Sequence, residues 1–261
     1  MLIVLLVISS TVFAAAVAAI LRDGGNREPE AGAEPAAAPS ASPAPAVSTP
    51  EPEAAKTIYL TFDDGPYENT AELLDILDEY GVKATFFVTC TYEDYKDLIG
   101  EEFRRGHAVG IHAYRHVYSE VYRDEGSFIE GMEKMQEIIK EQTGEETKLY
   151  RFPGGSSNTV SGNLMPELID IIAEDSLVYF DWDVDAHDAT DAKDKETVLS
   201  YLRSGLEESK EYSVVLCHDL YPYTVDAMRV FIPWALENGY IFDKLSTEGP
   251  EVHHMLAEEN R

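Results

Sequence analysis

Tyr59-Leu60-Thr61-Phe62-Asp63-Asp64-Gly65-Pro66 joins a short apolar run to two adjacent carboxylates and a Gly-Pro turn. The run Ile58 to Phe62 is β-branched and aromatic enough for a buried strand. Two negative charges at its mouth repel unless a cation or a proton lies between them. Asp and Gly are also ordinary turn formers, so the hexapeptide Thr61 to Pro66 alone fits a solvated turn equally well. The surrounding pattern decides.

Working outward, short apolar runs alternate with helical patterns. Strands are expected at Ile58 to Phe62, Lys83 to Val88, Ala108 to Ile111, Lys148 to Arg151, Leu177 to Trp182, Tyr212 to Leu216 and Tyr240 to Phe242. Between them fall helices Asn69 to Glu79, a stretch ending at Arg105, Ile129 to Thr143, Met165 to Glu174, Lys195 to Leu206 and Val225 to Glu237. Such alternation signals parallel strands with crossover helices. About seven units in one domain predict an α/β fold, a distorted (β/α) barrel that is closed or nearly so, with a doubly wound sheet as the alternative. In a barrel, active residues belong at the carboxyl ends of the strands.

The flanks differ in composition. Leu2 to Leu21 is apolar, broken only by Ser9, Ser10 and Thr11, and roughly 20 such residues span a bilayer. Residues 1–22 are therefore read as a membrane anchor, with a cleaved signal segment as the rival. Residues 23–56 are rich in Pro, Ala and Glu and read as a linker with little to bury. Residues 57–250 form the folded domain, and 251–261 a tail whose His253 and His254 read as solvated. This places the domain outside the cell, tethered to the membrane or secreted after cleavage. The formal charge of -29 argues against nucleic acid and anionic membrane surfaces as partners, and no protein partner is evident. Cys90 and Cys217 lack CxxC spacing and read as buried free thiols.

Polar clusters recur at the strand ends. His112-Ala113-Tyr114-Arg115-His116 places two imidazoles at i and i+4, able to converge on one cation. With one carboxylate of the Asp63-Asp64 pair they make a two-His-one-Asp set with an open position, which also suits non-haem iron. His107 precedes its strand and lies at the wrong end. Arg151-Phe152-Pro153-Gly154-Gly155-Ser156 offers a stiff loop with an exposed amide, Asp181 to Asp188 is acid-rich, and Leu216-Cys217-His218-Asp219 closes the penultimate strand.

Taken in order, these clusters resemble the five motifs of the polysaccharide deacetylases, carbohydrate esterase family four, over nearly all of residues 57 to 245. The resemblance implies that Asp63 is the general base, that Asp64, His112 and His116 hold a divalent metal, and that Arg151 orients the base. It further implies that Asp188 holds that arginine, that the Gly154 amide meets the oxyanion, that Phe152 and Leu216 contact substrate, and that His218 is the general acid. The implied cofactor is Zn²⁺ first, with Co²⁺, Ni²⁺ or Mn²⁺ as alternatives. Ala113 stands where the family has a hydroxyl residue, and Ala189 where it often has an aromatic one. Around Arg151 to Asn158 and Val252 to His254 the chain is similar to peptidoglycan N-acetylglucosamine deacetylases. The implied partner is that polysaccharide, with chitin oligomers, acetyl-xylan or a non-catalytic glycan-binding role as alternatives.

Overall fold

The computed structural model describes residues 56–208, 211–250 and 252–255. The expected anchor, nearly all of the linker and the last six residues lie outside them. Among the described residues no helix is long and apolar enough to cross a membrane.

The chain runs β1 (Thr57–Asp63), α1 (Thr70–Glu79), β2 (Thr85–Val88), α2 (Asp97–Arg104), β3 (Ala108–Ile111), α3 (Tyr118–Val121), α4 (Glu125–Thr143), β4 (Leu149–Tyr150) and α5 (Met165–Glu174). It continues through β5 (Val178–Tyr179), β6 (Val184–Asp185), α6 (Lys195–Glu208), β7 (Tyr212–His218), α7 (Pro222–Glu237) and β8 (Ile241–Asp243). All the strand pairs are parallel, in the order β5-β4-β3-β2-β1-β7-β6. Along β1, β7 pairs with one side throughout, while β8 takes the first half of the other side and β2 the second.

The sheet is a parallel half-barrel, consistent with the distorted (β/α) barrel expected, and it is left open because β5 and β6 are its two edges and do not pair. The expected strand Leu177 to Trp182 stops at Tyr179, and β6 follows with no helix between. The Phe180 N–H donates to the Tyr150 carbonyl on one edge, and the Asp183 N–H to the Val214 carbonyl on the other. The chain thus crosses the opening within four residues, and Asp183 Oδ1 also accepts the Val214 N–H at 2.6 Å. Side-chain acceptors here take backbone donors that a longer strand would have used.

Strand periodicity sorts the side chains between two cores. Ile58, Leu60, Phe62, Phe86, Val88, Ile111, Tyr150, Val215 and Cys217 face the helices, where Leu73, Leu77, Met135 and Phe231 complete the larger core. Phe87, Leu149, Phe180, Val214 and Leu245 form the smaller one on the concave side. The same alternation puts Thr61, Asp63, His112, Arg151 and His218 on that concave side, at the carboxyl end. Cys90 and Cys217 are buried free thiols, as expected. Helix α4 starts four residues earlier than its apolar pattern, because the Asp124 side chain caps it by accepting the Ser127 N–H.

Gly110 shows how tightly the concave side is filled: a Cβ there would stand 2.7 Å from the Phe87 ring. Overpacking of this kind costs about 1–3 kcal/mol. Gly110→Ala is therefore expected to lower the urea midpoint by a corresponding amount, and an unchanged midpoint would show that Phe87 yields freely.

Candidate active site

Asp63 ends β1, and Asp64 follows in the left-handed region at φ 73°, a conformation Asp tolerates better than most residues. This turn sends the two carboxylates different ways. Asp63 is buried and its Oδ1 accepts from Arg151 Nη1 at 2.9 Å. Asp64 Oδ1 lies 3.4 Å from His112 Nε2 and 3.7 Å from His116 Nε2, yet among the described residues it accepts no hydrogen bond. One ligand atom from each of these three residues fits within 4.8 Å of the others. A buried oxygen without a donor, facing two imidazole nitrogens, is the donor set a divalent cation takes. The residues therefore fit a metal.

His112 is oriented by its other nitrogen: Nδ1 lies 2.8 Å from the Arg151 carbonyl, which can accept only if Nδ1 carries the proton. That leaves Nε2 with a lone pair toward Asp64, the arrangement that metal-bound histidines use. Burial opposes ionisation of Asp64, but His112, His218 and His116 outweigh it and hold its carboxyl well below the usual range. Burial and then His112 keep His116 below its ordinary pKa.

Arg151, at the end of β4, is fully buried. Nη1 donates to Thr61 Oγ1 at 2.6 Å as well as to Asp63, Nε to the Phe180 carbonyl at 2.9 Å, and Nη2 to the Asp181 carbonyl at 3.0 Å. Its guanidinium lies 4.2 Å from the Phe87 ring centroid. A buried ion pair is tolerated when the remaining donors are satisfied in this way.

His218 ends β7. Its Nδ1 is 2.7 Å from Asp188 Oδ1, and its Nε2 is 3.9 Å from Asp64 Oδ2. Asp188 is itself fixed, its Oδ2 accepting the His218 N–H and the Thr224 hydroxyl, each at 2.8 Å. Burial would lower the His218 pKa, but Asp188, then Asp64 and Asp63, push it up to about 10.

The family model described as polysaccharide deacetylase matches residues 51–168. Over 202 residues the chain is 34% identical to a putative polysaccharide deacetylase of Bacillus subtilis, covering 76% of this chain and 70% of that one. The chain belongs to the polysaccharide deacetylase family. A peptidoglycan-N-acetylglucosamine deacetylase of Bacillus cereus is 32% identical over 200 residues, 74% of this chain and 70% of that one. The catalytic domain of a peptidoglycan N-acetylglucosamine deacetylase from Eubacterium rectale has a TM-score of 0.75 at 46% identity, covering 77% of this chain and 93% of that one.

In this deacetylase the expected set Asp63, Asp64, His112, His116, Arg151 and His218 is brought together, while three expectations need correction. Asp188 does not hold Arg151; it holds His218, and main-chain carbonyls serve the arginine instead. Phe152 does not face the site: it lies just past β4 and joins the larger core on the helix side. There it is fully buried against Phe128, Tyr150 and Tyr179. His253 and His254 are not a free tail: the segment is docked, with His253 half-buried and His254 exposed but bonded. The His254 N–H donates to Asp181 Oδ2 at 2.7 Å, Val252 accepts from the Asp181 N–H, and the His253 ring packs on Tyr179 at 4.2 Å.

Leu216 is buried on the concave side beside Thr61. Gly154 is exposed with φ 75°, and a Cβ there would stand 2.9 Å from the Tyr118 hydroxyl. His107 precedes β3, at the end away from the site as expected, and is buried: Nδ1 accepts the Ala84 N–H at 3.1 Å, and burial lowers its pKa to about 4.

Thr61, Asp181 and Asp219 went unassigned in the sequence. Thr61 was findable, since it lies two residues from Asp63 and shares its face. Asp181 accepts the Ser156 N–H at 2.8 Å and the Ser156 hydroxyl at 2.5 Å, fastening the Gly154 loop. Asp219 accepts the Thr70 hydroxyl beneath Gly65, where a Cβ would collide with its carboxylate. Burial pushes the Asp219 pKa up to about 7.

Proposed function

We propose that this chain is a metal-dependent hydrolase that removes the N-acetyl group from N-acetylglucosamine of peptidoglycan, releasing acetate outside the cell. The observation that carries the metal is the donorless Asp64 Oδ1 between the Nε2 atoms of His112 and His116. A divalent cation, Zn²⁺ by preference, would be held by those three residues and would supply Lewis acidity toward the acetamide carbonyl and the attacking water.

Each remaining step belongs to the chain's own groups. Asp63, fixed through Oδ1 by Arg151, takes a proton from the attacking water with its other oxygen. Water oxygen bonds to the acetyl carbon, and the Gly154 N–H, on the loop that Asp181 fastens, donates to the carbonyl oxygen as it gains charge. Leu216 lies against the methyl. His218, oriented by Asp188, protonates the departing nitrogen from Nε2 as the C–N bond breaks, leaving acetate and a free amine on the sugar.

The peptidoglycan substrate is supported by the names of the Bacillus cereus and Eubacterium rectale relatives. The extracellular, membrane-tethered placement rests on the apolar run Leu2 to Leu21. Acetate release measured on peptidoglycan and on chitin oligomers side by side tests the substrate. Faster release from peptidoglycan is expected, and release from chitin oligomers alone would reassign it.

Asp188→Asn tests the acid. A raised His218 pKa keeps the ring protonated to higher pH, and the asparagine removes the largest raising influence. The alkaline limb of the kcat/KM profile is therefore expected to move to lower pH, with the acid limb unmoved. An unmoved alkaline limb would take His218 out of that role.

A further inference from the structure

The loop after Arg151 carries two consecutive glycines in the left-handed region, Gly154 at φ 75° and Gly155 at φ 78°, a conformation that glycine enters and leaves freely. Among the described residues the Gly154 N–H donates to no backbone carbonyl, which leaves it open toward an oxyanion. Such a donor acts only if its direction is fixed before the charge develops. The fixing comes from two sides. On one, the Tyr122 hydroxyl donates to the Pro153 carbonyl at 2.8 Å and Asn158 Nδ2 to the Gly155 carbonyl at 2.7 Å. On the other it comes through Asp181 from residues 252–255.

Asp181 is fully buried, and its carboxylate joins the loop to that segment. Oδ1 accepts the Ser156 N–H at 2.8 Å, while Oδ2 accepts the Ser156 hydroxyl at 2.5 Å and the His254 N–H at 2.7 Å. An asparagine could not replace it, because each oxygen takes a backbone donor. Ser156 Oγ also accepts the Met255 N–H at 3.0 Å, and the Val252 carbonyl accepts the Asp181 N–H at 2.8 Å. The segment therefore closes over the crossing from β5 to β6, with Val252 packed on the concave core. His254 adds a second link. Its Nε2 lies 2.7 Å from the Trp182 carbonyl, so Nε2 carries the proton, and its ring meets the Trp182 ring edge-on at 4.9 Å. Trp182 in turn lies against the loop, since a Cβ on Gly155 would stand 3.0 Å from its ring.

We propose that residues 252–255 set the direction of the oxyanion donor, with Asp181, Ser156 and His254 as positioning residues that act through the loop on the Gly154 amide. The proposal rests on the deacetylase reading above and adds that turnover depends on this segment.

The test uses the full chain loaded with metal. Ser156→Ala removes the hydroxyl shared by Asp181 and Met255 but keeps the Ser156 N–H. His254→Pro removes the His254 N–H together with the ring, and His254→Ala removes the ring alone. In Ser156→Ala and His254→Pro, kcat per bound metal is expected to fall about tenfold, less than the roughly 10²- to 10³-fold that deletion of such a donor costs, with KM changed less than about twofold. That split marks an interaction made in the transition state. His254→Ala should retain more activity than His254→Pro. Deuterium exchange at the Ser156 amide, which needs no turnover, should be about tenfold faster in His254→Pro. A lower urea midpoint with kcat per bound metal unchanged would overturn the proposal, because the segment would then only stabilise the fold. Faster exchange in His254→Pro with no acetate released by the wild type would instead overturn the deacetylase reading and leave the hold on the loop standing.

Discussion

Asp63→Asn is expected to lower kcat for acetate release by roughly 10²- to 10⁴-fold, the usual contribution of a positioned general base, while the protein keeps its metal. The carboxylate is buried, one oxygen is occupied by Arg151 at 2.9 Å, and the other lies 3.8 Å from His112 Nε2, facing the donor set. Asparagine keeps an oxygen for Arg151 but has no basic lone pair to take a proton from water. It also leaves a buried guanidinium without its carboxylate, and breaking such a pair costs about 3–5 kcal/mol when nothing compensates. Here Thr61 Oγ1 and the Phe180 and Asp181 carbonyls remain as acceptors. The folded state should therefore persist, and a near-UV spectrum with metal analysis on the same sample checks this. Hydrolysis at the wild-type rate by metal-loaded Asp63→Asn would move the base elsewhere.

His112→Ala is expected to lose both metal and turnover. The imidazole is buried, with its Nδ1 proton given to the Arg151 carbonyl and its Nε2 turned to Asp64. Even a residue that only orients a metal ligand is worth about 10- to 100-fold in affinity, and deleting a ligand should cost at least as much. Elemental analysis after dialysis should find far less than one equivalent bound, with acetate release at background. One equivalent retained would remove His112 from the donor set. The two variants separate the adjacent carboxylates by function, since losing the Asp63 charge stops chemistry and losing a partner of Asp64 empties the site.

Much of this was readable in the chain because period-two patterning both builds strands and aims side chains. Asp63, His112, Arg151 and His218 each end an apolar run on the same face, so recognising the runs located the residues. The rest is set by contacts that this alternation does not reach or that lie far apart in the chain. Phe152, just past β4, joins Cys217 in the larger core on the helix side. The break between β5 and β6 is set by side-chain acceptors, Asp181 and Asp183, which compete with strand pairing and look locally like any acidic loop. The partner of Asp188 depends on where β7 passes relative to the loop after β6, a long-range register that no local pattern encodes. The docking of Val252 to Met255 depends on Asp181 and Ser156, about 70 and 100 residues earlier in the chain.

The central claim is that Asp64, His112 and His116 hold a divalent cation on which acetate release depends. Acetate release from peptidoglycan by the full chain, measured after chelation and again during titration with Zn²⁺, tests it most directly. The expected result is loss of release on chelation and full recovery at one equivalent. Undiminished release from protein verified to be free of metal would contradict it.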